Sequence, residues 1–217
     1  MHTERGFDRL VNFSDAVVAI AITLLILPLV DSVTDVASGQ SVWDVVLDDL
    51  PKFMVFIISF AVIGRFWIAH HRVYERAVDY DSWLLWANLF WLITIVFLPY
   101  PTELLSEGTS ADDGRAAIYV GTMLLSSLAL LWQQAILIRR PELVAPAVRG
   151  TLSIVPSVVT AGMMLVTFLA VVLVPGLGLW GLFLLVLTGP VQAIARRVTG
   201  HSDGPLRRRS RTPRPPS

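Results

Sequence analysis

Six apolar stretches separated by short polar ones dominate the pattern of this chain. They lie at roughly 10–30, 51–71, 83–104, 115–138, 151–174 and 177–195. Each is long enough to cross a hydrocarbon layer ~30 Å thick as a helix rising ~1.5 Å per residue. The pattern predicts an all-α membrane protein with six transmembrane helices over residues 1–198. Pro175-Gly176, between the last two stretches, is a breaker pair suited to a tight hairpin at the membrane surface. Residues 199–217 hold five arginines and four prolines, cannot bury a core, and predict a disordered basic tail.

The first stretch is the most informative. Arg9–Leu29, RLVNFSDAVVAIAITLLILPL, opens with Arg9, Asn12, Ser14 and Asp15 and continues as an uncharged apolar run. At about 100° per residue, with Ile20 at zero, Ala16, Thr23, Leu24 and Leu27 fall within about 60° of Ile20 and form one stripe. Asp15 and Ser14 fall at about −140° and +120°, so the polar end faces elsewhere. Two faces require two kinds of partner. Ordinary packing accounts for the stripe as well, with Ser14 or Asn12 as an N-cap and Asp15 as a first-turn acid answering the helix dipole. Pro28 has no N–H to give the Leu24 carbonyl, which predicts a kink or helix end near the top of the stripe.

Composition removes the soluble alternatives. With 54% hydrophobic and 16% charged residues, the 217-residue chain is too apolar for a soluble globular domain. The absence of cysteine excludes disulfides and thiolate metal sites. The first stretch lacks a small-residue cleavage pattern and follows acidic residues, unlike a secretory signal. Alternate assignment of the loops puts 14 of the 17 basic residues on one side, which the positive-inside rule makes cytoplasmic together with both termini. An even number of spans in a plasma membrane satisfies this. The opposite side carries Asp31, Asp35, Asp44, Asp48, Asp49, Glu103, Glu107, Asp112 and Asp113 against Lys52 and Arg115. Such a surface concentrates cations, although outer loops need polar residues in any case.

Ionisable groups inside a membrane need a partner or an aqueous route. For Asp15 the candidates are Trp67, His70 and His71 on the second stretch and Asn88 on the third. His70-His71 makes a poor metal site, because adjacent helical residues point about 100° apart and no third ligand is spaced to join them. No nucleophile–base pair, phosphate loop or paired acids point to an enzyme, and no nucleic-acid partner or cofactor is expected.

Arg9-x-x-x-Phe13-Ser14-Asp15 followed by Ala19-Ile20-x-x-Thr23-Leu24-Leu25 resembles the signature of the lysosomal potassium channel family, transmembrane protein 175, in its short single-repeat prokaryotic form. Trp67, His70, Asn88 and the Phe97-Leu98-Pro99 ending of the third stretch resemble the family too. The resemblance implies a homotetramer whose first helix lines a central axis. It also implies that Arg9, Phe13, Ser14, Asp15, Trp67, His70 and Asn88 form a structural polar network rather than a set of ion ligands.

A single six-helix chain without a large polar cavity offers no evident aqueous path, whereas copies around an axis bring several first-helix stripes together. The resulting pore would be lined by Ile20, Thr23, Leu24 and Leu27. No TVGYG filter occurs, so selectivity must come from side chains or from exposed backbone. Rings of Ile20 and Leu27 would be dry constrictions, and Thr23 the polar ring between them, where potassium passes. A threonine in such a helix also commonly bonds the carbonyl four residues back, here Ala19. A proton-coupled or secondary cation transporter using Asp15 and His70 is the alternative, opposed by the lack of a second broken helix or repeated half. A structural membrane protein without transport is the third reading.

Overall fold

A computed structural model describes residues 4–34, 41–107 and 113–174. Eight α-helices lie in them: α1 (Glu4–Leu24), α2 (Leu27–Thr34), α3 (Val42–Asp48), α4 (Leu50–Tyr74), α5 (Ser82–Phe97), α6 (Pro99–Ser106), α7 (Asp113–Arg139) and α8 (Val155–Leu173). Five spans are long and apolar enough to cross a membrane: Arg5–Ser32, Leu50–Tyr74, Ser82–Ser106, Gly114–Arg139 and Val155–Leu173. They coincide with the first five apolar stretches to within a few residues at most ends. The sixth stretch at 177–195, the Pro175-Gly176 hairpin and the basic tail lie outside the described residues.

Two spans are broken, and in both a proline stands at the break, so the second broken helix that the sequence reading did not find is present, because Pro99 interrupts the third apolar stretch. Between α1 and α2 the Leu25 and Ile26 amides donate three residues back, to Ile22 and Thr23, at 3.3 and 3.4 Å. Pro28 then withholds the donor that the Leu24 carbonyl would need. Pro99 opens α6 in the same way. The start of α1 corrects the sequence reading. The helix begins at Glu4, so Ser14 sits well inside it and is no N-cap. Its hydroxyl donates instead to the Leu10 carbonyl at 2.9 Å.

At the centre of the bundle, α7 packs against α4, α5, α6 and α8, while α1 lies on α4 and α5. The main core joins Val18, Ala21 and Leu25 of α1 to Ile63 and Phe66 of α4, Trp91 and Ile95 of α5, and Tyr119, Val120 and Met123 of α7. Small residues such as Ala21, Ala87, Ala116 and Ala129 are fully or almost fully buried. Close helix approach of this kind drives association where lipid removes the hydrophobic gain between helices.

The end of the bundle rich in arginine is tied across its loops. Asp81 caps α5 by accepting from the Leu84 amide at 2.8 Å, and it pairs with Arg140 after α7 at 2.6 Å. The Val78 amide donates to the Leu143 carbonyl and the Ala145 amide to the Arg76 carbonyl, both at 2.9 Å. Loops distant in sequence thereby share backbone bonds.

At the other end Asp49 accepts from the Ser32 hydroxyl of α2 at 2.7 Å and from Lys52 of α4 at 3.0 Å. The Ser32 bond first and Lys52 second hold the Asp49 carboxyl below its ordinary range. A carboxylate depressed by folding stabilises above its unfolded pKa, about 3.9, and loses that contribution as pH falls below it. Amide protection in α2, taken as exchange relative to the unfolded-chain rate at the same pH, should therefore stay level from neutral pH to about pH 4 and fall only in stronger acid. A fall already between neutrality and about pH 5 would assign the tether to a different group.

Candidate pore face and the polar network behind it

Helix α1 presents two faces, and the positions that divide them repeat every three or four residues. Phe7, Leu10, Ser14, Val18, Ala21 and Leu25 are buried against the rest of the chain. Ala16, Ile20, Thr23, Leu24 and Leu27 are exposed, with Ile20 at 60% and Leu27 at 49% while Ala21 between them is fully buried. Among the described residues nothing covers this stripe. Thr23 is its one hydroxyl, and its Oγ1 donates to the Ile20 carbonyl at 2.7 Å. The Ala19 carbonyl, four residues back, was the expected acceptor. Close to the tightened turn that ends α1, the carbonyl three residues back lies nearer. The Thr23 oxygen lone pairs remain available on the open face.

Behind the stripe, the polar face of α1 enters two separate sets of bonds. Asp15 Oδ1 accepts from the Trp67 indole Nε1 of α4 at 2.8 Å. Ser14 Oγ accepts from Asn88 Nδ2 of α5 at 2.8 Å, and Asn88 Oδ1 in turn lies 2.8 Å from His70 Nε2 of α4. With the Asn88 amide nitrogen committed to Ser14, its oxygen must accept, so His70 donates from Nε2. The chain runs in one direction, from His70 through Asn88 and Ser14 to the Leu10 carbonyl, and ties together α1, α4 and α5.

Aromatic stacking fixes the imidazole. His70 lies between Trp91, with ring centroids 4.0 Å apart, and Tyr74 at 4.3 Å. Beside it His71 stacks on Trp67 at 5.5 Å and reaches Glu75 at 3.3 Å. Asp15 and His70 have different partners, so the two groups of a carboxylate–imidazole relay are not bonded to each other. Arg9 and Phe13 are exposed on α1 and stand outside both sets, Phe13 at 52%. Among the described residues no group of three or more acidic, histidine or cysteine side chains is placed to hold a metal.

Other polar contacts escaped the sequence. The Thr102 hydroxyl donates to Ser59 Oγ at 3.0 Å, and Ser59 Oγ lies 3.2 Å from Tyr119 Oη, joining α4, α6 and α7. Ser126 and Thr94 hydroxyls meet at 2.8 Å between α7 and α5. Gln133 Nε2 donates to the Ala87 carbonyl at 3.1 Å, and Gln134 bonds both the Ser153 carbonyl and the Ser157 hydroxyl. Their signal was present as polar residues inside apolar stretches, but each looks alone until another helix supplies the second half.

A multi-pass helical bundle with an exposed apolar stripe on its first span and a buried polar network behind it is a membrane-protein architecture. Residues 9–99 match the family described as the endosomal/lysosomal potassium channel TMEM175. A potassium channel of Streptomyces collinus is 34% identical over 151 residues, covering 66% of this chain and 72% of that protein. The chain belongs to the TMEM175 family. The crystal structure of a lysosomal potassium-selective TMEM175 homologue from Chamaesiphon minutus aligns with a TM-score of 0.65 at 24% identity, over 87% of this chain and 97% of that one. That likeness is one of fold. The human endosomal/lysosomal proton channel TMEM175 is 31% identical over 100 residues, which are 45% of this chain but 19% of that protein.

Proposed function

We propose that the chain is a potassium-permeable cation channel in which four copies set their α1 stripes around a common axis. The observation that carries this reading is the two-faced α1. Its Ile20, Thr23 and Leu24 face, continued by Leu27 at the start of α2, is exposed among the described residues, while the opposite face is packed and its polar end is bonded to α4 and α5. The potassium channel named among the relatives, which the chain covers for 72% of its length, supports the same reading. Rings of Ile20 and Leu27 oppose hydrated ions by dewetting, and the Thr23 ring supplies oxygen between them. Asp15, Ser14, Trp67, His70 and Asn88 hold the helix rather than touch the ion. The channel sits among the lipids of the plasma membrane with both termini in the cytoplasm.

Planar-bilayer recording of purified protein in opposed potassium and sodium gradients tests the function. Passive current reversing near the potassium equilibrium potential is the expected result, and electrically silent protein would refute it. Relatives named as proton channels make a second gradient informative. A reversal potential that follows pH would assign protons as the main permeant ion. Assembly is tested separately: native mass spectrometry in detergent should give a four-chain species, and a monodisperse monomer would remove the pore.

A further inference from the structure

Beyond Leu25 the first span leaves the main core, and the short helix that carries Leu27 is held by other means. α2 packs against α4. Leu29 is its buried side chain among those described, and the Ser32 hydroxyl donates to Asp49 Oδ2 at 2.7 Å. At about 100° per residue, Ser32 lies about 60° from Leu29 and about 140° from Leu27. One side of α2 is thus drawn back, and the other presents Leu27, 49% exposed.

The acceptor is anchored. Asp49 occupies the capping position of α4 but makes no capping bond with its side chain, and Lys52 in the first turn of α4 holds its other oxygen, Oδ1, at 3.0 Å. The donor has a choice, because the Ser32 hydroxyl also lies 2.9 Å from the Leu29 carbonyl of its own helix. A hydroxyl has one proton, and a charged carboxylate is the stronger acceptor. The tie acts across a weak joint. The Leu25 and Ile26 amides make long bonds of 3.3 and 3.4 Å at the break, and Pro28 gives the Leu24 carbonyl no donor, so little backbone stiffness passes from α1 to α2.

We propose that the Ser32–Asp49 bond is a latch that holds α2 back against α4 and so keeps the Leu27 ring open at the outer end of the pore, with Ser32 and Asp49 as positioning residues for permeation. The inference rests on the reading that the α1 stripe and Leu27 line the pore. Because the latch pulls from the side opposite Leu27, its release lets α2 lean towards the axis, where the Leu27 ring narrows. Ile20 and Thr23 lie deeper in the stripe, below the break, and keep their positions.

Single-channel recording of Ser32→Ala beside Ser32→Thr tests the latch. Ser32→Ala removes the donor, and its unitary current should fall several-fold with the potassium–sodium reversal potential unchanged. Ser32→Thr keeps the hydroxyl and should conduct as the parent does. Parental current in Ser32→Ala would overturn the latch, and so would an equal loss in both variants, which would place the effect in packing rather than in the hydroxyl. Ser32→Cys combined with Asp49→Cys, in a chain without native cysteine, supplies a tie that can be switched. Cadmium ions bridging the two thiolates should restore the unitary current that the pair loses in metal-free solution, measured against the parent in the same cadmium. Current in the pair that ignores cadmium overturns the latch. Alkylation of Leu27→Cys by a hydrophilic maleimide separates the two readings. If it leaves the current unchanged, Leu27 is not in the pore and the stripe reading fails together with the latch. If it blocks the current while Ser32→Ala conducts as the parent does, the latch alone fails.

Discussion

Ile20→Asn channels should carry more current than the parent and discriminate less between potassium and sodium. Ile20 is the most exposed apolar residue on the stripe of α1 and offers no group to replace a water ligand of the ion. In the proposed tetramer a symmetric ring of such side chains excludes water, and the barrier to conduction there is the cost of wetting it. Asparagine is smaller and brings an amide donor and acceptor, so the ring both widens and hydrates, and the discrimination that came from stripping water weakens. Thr23→Val separates the two roles. It preserves shape and removes the hydroxyl that bonds the Ile20 carbonyl, so potassium preference should fall without a comparable gain in leak. Conductance and reversal potential recorded side by side decide the matter. Ile20→Asn protein that assembles normally and conducts as the parent does would place the barrier elsewhere and rotate α1 from its assigned orientation.

The polar network should fail at assembly. Asn88 is fully buried and serves both neighbours at once, donating to Ser14 and accepting from His70. Asn88→Leu keeps the branched outline of the side chain but strands the His70 N–H and leaves Ser14 without its donor. An interhelical hydrogen bond in a membrane contributes about 0.6–2 kcal/mol. A buried polar group left without its partner costs about 1–3 kcal/mol, so the stranding dominates the lost bond. Asn88→Leu should lower Tm and sharply reduce the recovery of assembled protein by size-exclusion chromatography. Asp15→Ala strands only the Trp67 N–H, in a less buried position, and its loss should be smaller. The selectivity of whatever assembles should be unchanged in both. Well-assembled Asp15→Ala channels with altered potassium preference would put Asp15 in the permeation path.

The spans were legible because the bilayer demands apolar length, and apolar length is a property of sequence that no partner can change. The break at Leu25-Ile26 was legible for a similar reason, since a missing proline N–H acts within one turn. The start of α1 was not. Glu4, Arg5 and Asp8 carry polar side chains that look like a loop, yet Phe7 and Leu10 interleaved with them pack against Tyr74, Ala77 and Leu84, and that packing extends the helix. The ties between the arginine-rich loops escaped for the same reason, as the Val78 and Ala145 amides bond segments far away in sequence.

By itself, then, the sequence determined a helical membrane protein, the sites of its five described spans, the angular separation of the α1 stripe from Ser14 and Asp15, and the proline break. These follow from backbone geometry and from the solvent, which act on each segment alone. Tertiary structure decided which polar group meets which. Asp15 went to Trp67 while His70 went to Asn88 and Ser14, Arg9 and Phe13 stayed on the open side, and Thr23 turned to Ile20. Hydrogen bonds act over about 3 Å, so their partners are chosen by the rotation and closeness of packed helices, which only the folded chain specifies.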